Sequence, residues 1–249
     1  MRQILNVQDY SALAVRSVAN IFSPPQYVSD LLQQMDLIGV GSLPIVVLTG
    51  FFIGAVTVVQ TAAQFSRFGE TALTGDAVSL ALVRELGPVI TGLLATGRNS
   101  SGMASELGSM VVSEQVDAMR AMGTDPIRKL VTPRVIATIL MLPLLTAVSD
   151  FVGLCGGYLV AHFTLRLGAV EFWSRAVDAL EFSDLMQGLV KPLVFAFILA
   201  TVGCYKGLTV RGGTQGVGRA TTQAVVTASV IILVSDFFLA RLMIFLSTK

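Results

Sequence analysis

The segment Leu43-Pro-Ile-Val-Val-Leu-Thr-Gly-Phe-Phe-Ile-Gly-Ala-Val-Thr-Val-Val-Gln-Thr-Ala-Ala-Gln-Phe65 contains no charged residue. A helix needs about 20 predominantly apolar residues to cross a bilayer core of roughly 30 Å, and this stretch is long enough. Further apolar runs lie at about residues 77–97, 135–163, 185–205 and 220–246. We therefore predict an all-α integral membrane protein with about five transmembrane helices.

The composition of the whole chain supports this prediction. The mean hydropathy is +0.75 and only 13% of the residues are charged, whereas about a quarter of the residues of soluble domains are charged. A large soluble protein can bury one apolar helix, but several such runs in a chain of 249 residues argue against that interpretation.

The first 40 residues differ from the rest because polar residues interrupt every apolar stretch. Residues 5–22 and 27–38 mix apolar and polar side chains as helices lying along a membrane surface do, and Pro24-Pro25 should separate them. A loosely ordered tail is the alternative. We divide the chain into N-terminal interfacial or elbow helices at 1–40 and a single transmembrane domain at 41–249.

Basic residues predict the orientation of the chain, because short loops rich in Lys and Arg tend to stay in the cytoplasm. With the N-terminus inside, most basic loop residues are cytoplasmic: Arg2, Arg16, Arg98, Arg120, Arg128, Lys129, Arg134, Lys206, Arg211 and Arg219. The opposite side then holds fewer: Arg67, Arg166, Arg175 and Lys249. It also holds the acidic segment 168–184, which we expect to form a short helix.

A polar segment, Glu114 to Arg134, lies between the second and third apolar runs on the predicted cytoplasmic side. It alternates charged and apolar residues as a short helix would, and Gly123, Pro126 and Pro133 should end that helix. We predict a helix at about residues 112–126 that docks onto a protein partner and transmits its movement to the spans.

Two charged residues, Arg84 and Glu85, lie inside the second apolar run. A charge at the bilayer centre costs at least about 2.5 kcal/mol, so such residues usually face protein or a wet cavity. The adjacent Gly87-Pro88 can bend the helix and release backbone groups. A functional role for at least one of the two charges is our prediction, and anchoring of the helix is the alternative. Asp150 and Asp236 are weaker candidates, more typical of helix contacts.

Several kinds of chemistry find no support in the residues. The chain has one His and two Cys, which gives no basis for a metal site or a catalytic constellation. The glycine frame Gly213 to Gly218 lacks the Lys and Ser or Thr of a phosphate loop, since Arg219 and Ala220 follow it. Any ATP that drives this protein must be hydrolysed by another chain. No concentrated basic face suggests nucleic-acid binding.

Three blocks carry a family resemblance: Leu82-Val-Arg-Glu-Leu-Gly-Pro88, Glu114-Gln-Val-Asp-Ala-Met-Arg-Ala-Met-Gly-Thr-Asp-Pro126 with Pro133-Arg134, and Gly216-Val-Gly-Arg-Ala-Thr-Thr222. The chain resembles the MlaE-type permeases, which are membrane subunits of ABC transporters that work with MCE-domain proteins. The resemblance covers nearly the whole chain, in order and without large gaps.

The resemblance implies a non-catalytic permease of the bacterial inner membrane that forms a homodimer and binds two cytoplasmic ATPase subunits. It implies that phospholipids pass between this membrane and periplasmic MCE-domain hexamers, which serves the lipid homeostasis and asymmetry of the outer membrane. It leaves open whether a small cytoplasmic regulatory subunit joins. It also makes the predicted docking helix the coupling helix, with these residues in an ATPase groove: Glu114, Gln115, Asp117, Met119, Arg120, Met122, Gly123 and Asp125.

The resemblance also assigns lipid contacts. Glu85 matches the acid that contacts lipid in the family, with Arg84 beside it, and Phe68 matches an aromatic position at which relatives can carry tyrosine. Phe68 offers apolar contact but no hydroxyl. Apolar residues of the first span are expected acyl-chain contacts, although the membrane or the dimer core could equally cover them: Val56, Val59 and Phe65.

Two other functions remain open from the residues. An ion-coupled carrier or channel could use Arg84, Glu85, Asp150 and Asp236 as a charge path, but it leaves the docking helix unexplained. A scaffold for other membrane proteins would tolerate loss of the acid inside the span but not of that helix.

Overall fold

The computed structural model describes residues 2–20 and 27–247, and these residues form helices and turns without a strand. The predicted break at Pro24-Pro25 and the C-terminal Lys249 lie outside the described residues. The N-terminal helices are α1 (Arg2–Ala19) and α2 (Val28–Ile38). The remaining α-helices are α3 (Leu43–Phe65), α4 (Thr74–Ala81), α5 (Gly87–Ala95), α6 (Ser101–Val112), α7 (Gln115–Ala121), α8 (Thr132–Leu165), α9 (Ala169–Asp178), α10 (Phe182–Leu208) and α11 (Gly213–Ser247).

Five helical runs among the described residues are long and apolar enough to cross a membrane: Val28–Phe68, Thr74–Val112, Ile127–Leu165, Phe182–Leu208 and Gly213–Leu246. The predicted fold class is therefore confirmed. The second run is longer than predicted, because a π turn at Thr96–Ser100 joins α5 to α6 without interruption. Arg98 and Glu106 consequently lie in the same continuous helix as Arg84 and Glu85.

The chain divides into two compact units that do not follow the chain order. The first unit contains residues Met1–Gly41, Leu93–Leu142 and Leu193–Ser235, and so includes α1, α2, α7 and the turn between α10 and α11. The second unit contains residues Ser42–Gly92, Pro143–Pro192 and Asp236–Lys249, and so includes α3, α4 and α9.

Polar contacts hold the N-terminal helices to the rest of the first unit. Tyr10 on α1 shares a hydrogen bond of 2.9 Å with the Thr201 hydroxyl and packs edge-on against Tyr205, both on α10. On α2, the Asp30 carboxylate pairs with Lys129 at 2.6 Å. These contacts hold α1 and α2 against the protein, where each helix can bury its apolar face.

Small residues let α3 and α8 approach closely in the second unit. A Cβ atom on Gly54 would collide with the backbone of Gly153, and one on Gly156 would collide with the carbonyl of Phe51. Membrane helices pack through such small residues because lipid provides no hydrophobic drive for their association. A hydrophobic core in the same unit includes Phe172 of α9, which is fully buried and packs against Trp173.

One predicted helix end is wrong. Pro133 does not end a helix, because it lies in a continuous helical run from Ile127 to Leu165. A π turn at Ile127–Val131 precedes it. Proline has no N–H to donate and crowds the preceding turn, and a widened turn accommodates both effects without breaking the helix. Gly123 does end a helix, with a φ of 77° that suits glycine.

Candidate functional site

The charged pair Arg84 and Glu85 lies on a π turn, Leu82–Leu86, between α4 and α5. Pro88 follows directly and has no N–H to donate to the carbonyl of Arg84 four residues earlier. π turns are often found at functional sites, because the extra residue changes the directions of the side chains around it. The sequence therefore places two charges at one of the two π turns of this helix, where its regular hydrogen bonding is disturbed.

Lys191 of α10 connects this turn to α11. Its ammonium donates to the Arg84 carbonyl at 3.0 Å and to Glu85 Oε2 at 2.5 Å. Asp236 Oδ1 of α11 lies 3.0 Å from the same nitrogen, but this contact lacks hydrogen-bond geometry. The Lys191 side chain is fully buried. It thus satisfies the carbonyl that Pro88 leaves without a donor and neutralises carboxylates of two other helices.

Arg84 is held by a second ion pair. Its Nε donates to Asp184 Oδ1 at 2.6 Å, and the Asp184 side chain is fully buried at the start of α10. Asp184 Oδ2 also accepts the backbone N–H of Glu181 at 3.0 Å. Asp184 therefore fixes Arg84 from one side and closes the first turn of its own helix.

Arg84 and Glu85 nevertheless keep one face open. The exposed fractions of their side chains are 42% and 44%, whereas Lys191 and Asp184, which hold them, are fully buried. Arg84 and Glu85 therefore form a partly exposed pair of opposite charges that the buried Asp184 and Lys191 hold in place. Such a pair can bind a dipolar or zwitterionic group, with an anion at the guanidinium and a cation or hydroxyl at the carboxylate.

The polar segment between the second and third spans forms a tight projection on the first unit. Its helix, α7, runs only from Gln115 to Ala121, shorter than the predicted 112–126. Glu114 before it and Gly123 after it both have positive φ, which turns the chain sharply at each end. Val116 is buried and holds the helix against the unit.

Most of the predicted coupling residues are exposed on this projection: Glu114, Gln115, Asp117, Arg120, Met122, Gly123 and Asp125, with Met119 half-buried. Asp117 and Arg120 pair with each other at 2.8 Å on the surface. Asp125 also has a structural role, because its carboxylate accepts the N–H of Ile127 where the next helix begins.

Ion pairs stiffen the base of the projection. Arg134 of α8 is buried, donates to the Leu130 carbonyl at 2.6 Å and pairs with Glu106 of α6 at 2.8 Å. Lys129 pairs with Asp30 of α2 and lies 4.2 Å from the centre of the Tyr27 ring. The helices before and after the projection are thereby tied together.

A family model for the permease MlaE matches residues 31–242 of this chain. The chain belongs to the MlaE permease family. The resemblance predicted from the three sequence blocks is therefore confirmed, and the chain is a multi-pass membrane protein of this family.

Relatives of this MlaE-family permease come from distant organisms. A probable ABC transporter permease protein of Rickettsia typhi is 43% identical, over 91% of this chain and 88% of that protein. The intermembrane phospholipid transport system permease protein MlaE of Haemophilus influenzae is 35% identical, over 86% and 82%. The chloroplastic protein TRIGALACTOSYLDIACYLGLYCEROL 1 of Arabidopsis thaliana is 38% identical, over 92% of this chain and 65% of that protein.

The predicted apolar contacts of the permease lie on or near α3. Val56 and Val59 are about half exposed on one face of α3, and Phe68, just beyond the helix, is 79% exposed. Val59 also lines an apolar cavity of about 290 Å³ between α3 and α8, while Phe65 is half-buried. No described hydrogen bond, ion pair or ring contact joins these residues to Arg84 or Glu85, and their part in lipid binding stays a prediction.

Sequence reasoning about the permease missed Lys191. The signal was available, because a lysine followed by Pro192 inside an otherwise apolar run is as unusual as Arg84 and Glu85 are. Its partners could not be found, since Glu85 lies 106 positions away in the chain. Within residues 2–20 and 27–247, no group of three or more His, Cys, Asp or Glu residues is placed to hold a metal ion.

Proposed function

We propose that this chain is the membrane subunit of an ABC transporter that moves phospholipids between the inner membrane and a periplasmic MCE-domain partner. It acts as a homodimer with two cytoplasmic ATPase subunits, which bind and hydrolyse the ATP. The names of the relatives from Rickettsia typhi and Haemophilus influenzae support an ABC transporter permease and phospholipid as the cargo. In a bacterium with two membranes, this activity would maintain the lipid asymmetry of the outer membrane.

The observation that carries the proposal is the half-exposed pair Arg84 and Glu85 on its buried base. Arg84 uses Nε for Asp184, so that its two terminal nitrogens can donate to the phosphodiester of a headgroup. Glu85 uses Oε2 for Lys191, which leaves Oε1 for the amine or hydroxyl of the same headgroup. A phospholipid headgroup presents these charges in one small group.

The acyl chains need an apolar surface beside the headgroup. Phe52, Val56 and Val59 form an exposed apolar stripe on α3, spaced as one helix face requires. Each buried CH₂ group contributes about 0.8 kcal/mol, so two acyl chains bind strongly and their release needs work. We assign that work to the ATPase: we place a lipid cavity between the two copies of the chain, and closure of the ATPase on α7 would change that cavity.

The experiment is lipid transfer by the full complex reconstituted in vesicles. Glu85→Arg should abolish most transfer, because two adjacent cations no longer match a zwitterionic headgroup and Lys191 loses its partner. The complex should still assemble, since Asp236 remains 3.0 Å from the Lys191 nitrogen and the coupling residues are untouched. Asp36→Arg is the matched control, because Asp36 is an exposed carboxylate of α2 in the first unit. Unchanged transfer by Glu85→Arg would refute the assignment.

An ion-coupled carrier is the second candidate, and one observation favours it. Asp150 lies against Gly87, and its Oδ1 is buried without a hydrogen-bond partner among the described residues. A carrier would move ions across vesicles that contain this chain without an ATPase, and Asp150→Asn would stop it. Lipid transfer that requires the ATPase, with no ion flux from the chain alone, would exclude this candidate.

A further inference from the structure

A basic cavity of about 740 Å³ lies in the first unit, between α1, the end of α10 and the start of α11. Lys206, Arg211 and Arg219 line it together with the single carboxylate of Asp9. These residues belong to the first unit, whereas Arg84 and Glu85 belong to the second. Arg219, which lines the cavity, belongs to the block Gly216 to Thr222. This block has no role in the transport mechanism that we propose.

The charges of this cavity are not balanced. Three cations face one carboxylate, which leaves a net charge of +2. Lys206, Arg211 and Arg219 make no ion pair with any residue in the part of the chain that the structure describes. Because the cavity has an uncompensated charge of +2, we expect it to attract an anionic group.

The backbone holds the cations in place. Gly212 and Gly213 have φ of 92° and 65°, which makes the turn between α10 and α11 tight and presents Arg211 on it. A Cβ atom on Gly216 would collide with the Arg211 carbonyl, so α11 packs directly on this turn. The first turn of α11 carries no acidic residue, and its unpaired N–H groups add positive potential at the same place.

The wall formed by α1 indicates the source of the anion. Val7, Val15 and Val18 are exposed on α1, as on a helix that lies in the interface of a bilayer. Tyr10 of α1 packs on Tyr205 of the cavity with ring centres 5.7 Å apart, and tyrosine is enriched at headgroup depth. A cavity at that depth meets lipid headgroups before it meets any other anion.

We propose that this cavity binds the headgroup of an anionic phospholipid from the leaflet on the side of α1. Arg211 and Arg219 hold the phosphodiester, Lys206 adds to the attraction, and Asp9 accepts a hydroxyl of the headgroup. Basic pockets beside membrane helices on the cytoplasmic side bind anionic headgroups in this way. The bound lipid would clamp α1 to α10 and α11, independently of the lipid that is transported.

Native mass spectrometry of the full chain in neutral detergent tests the proposal. Phosphatidylglycerol is titrated, with phosphatidylcholine and inorganic phosphate as separate series. Beyond the lipid that Arg84 and Glu85 hold, we expect one phosphatidylglycerol per chain to bind at this cavity more tightly than phosphatidylcholine. Each cation removed should weaken that binding about fivefold, so Arg219→Gln weakens it about fivefold and the triple variant Lys206→Gln, Arg211→Gln, Arg219→Gln about a hundredfold.

Three controls separate the site from other effects. Arg16→Gln removes an exposed cation of α1 that does not line the cavity, and the double variant Arg211→Lys, Arg219→Lys keeps the charge; both should retain this lipid. Glu85→Arg should retain it as well, which separates this site from the transport site.

Several results would overturn the proposal. Phosphatidylglycerol binding that is the same in the Arg219→Gln variant as in the unmodified chain would do so. A loss of equal size in the Arg16→Gln variant would show a diffuse surface charge. Displacement of the lipid by equimolar inorganic phosphate would assign the cavity to free phosphate. Retained lipid with lost ATPase binding in the triple variant would assign it to the protein partner.

Discussion

Replacing Lys191 with Met should destabilise the second unit strongly, because the Lys191 ammonium is fully buried. Methionine is similar in length and suits an apolar environment, so the substitution removes the charge without leaving a large cavity. It also removes every contact of the ammonium: with the Arg84 carbonyl, Glu85 Oε2 and Asp236 Oδ1. Two carboxylates and one carbonyl then remain without their common partner.

The magnitude follows from the burial of these groups. Removing one member of a buried ion pair costs about 3–5 kcal/mol, because the other charge stays buried and unpaired. Glu85 is 44% exposed and water can solvate part of its charge, but Asp236 is only 18% exposed. We therefore expect about 3 kcal/mol, at the lower end of the range, which is a change of more than a hundredfold in the unfolding equilibrium.

The chain carries its own probe for this measurement. Trp173 is the only tryptophan and packs against Phe172 and Tyr158 in the second unit, where Lys191 also lies. Its fluorescence during unfolding in mixed micelles gives the free energy of unfolding of each variant. Arg241→Met is the matched control, because Arg241 is an exposed cation of the same unit and should cost less than about 0.5 kcal/mol.

A second variant tests the cause. Neutralising one of the stranded carboxylates with Asp236→Asn should recover at least about 1 kcal/mol of the loss when Lys191→Met is already present. If Lys191→Met unfolds like the unmodified chain, the buried ammonium is not the centre of the cluster. If Asp236→Asn only adds to the loss, the lysine acts through packing and not through its charge.

Three other substitutions test separate parts of the structure. Gly54→Ala should cost about 1–3 kcal/mol of unfolding free energy, since its Cβ has no room beside Gly153. Arg134→Met should weaken the link to Glu106 at the base of the projection and lower lipid transfer per ATP hydrolysed, measured together in reconstituted complexes. Met122→Glu should reduce ATPase binding in pull-down assays at unchanged unfolding free energy, because the side chain is 75% exposed at the tip of the projection.

The long helices could be predicted because each has to cross a bilayer. The span predicted at 43–65 forms a helix from Leu43 to Phe65, since apolar length alone decides whether such a segment crosses. The docking helix was less predictable. Its observed bounds depend on positive φ at Glu114 and Gly123. Positive φ could be predicted at the glycine but not at the glutamate, because residues with a side chain rarely adopt it.

The effect of the prolines could be predicted only in part. Pro88 was expected to disturb the second span, and a π turn does precede it. Pro133 was expected to end a helix, but a π turn absorbs it. The two outcomes share a cause, because a membrane helix keeps its backbone hydrogen bonds satisfied internally and widens one turn before it breaks.

The membrane environment, the helical class, the family and the position of Arg84 and Glu85 in a span could all be predicted from the amino-acid sequence. These properties follow from local composition and from blocks of adjacent residues. The partners of those charges depend on the packing of the helices, because Asp184 pairs with Arg84 and Lys191 with Glu85, and Asp236 of another helix also pairs with Lys191. These partners lie 100 and 106 positions apart in the chain. The periodicity of residues within one helix carries no information about which other helix packs against it.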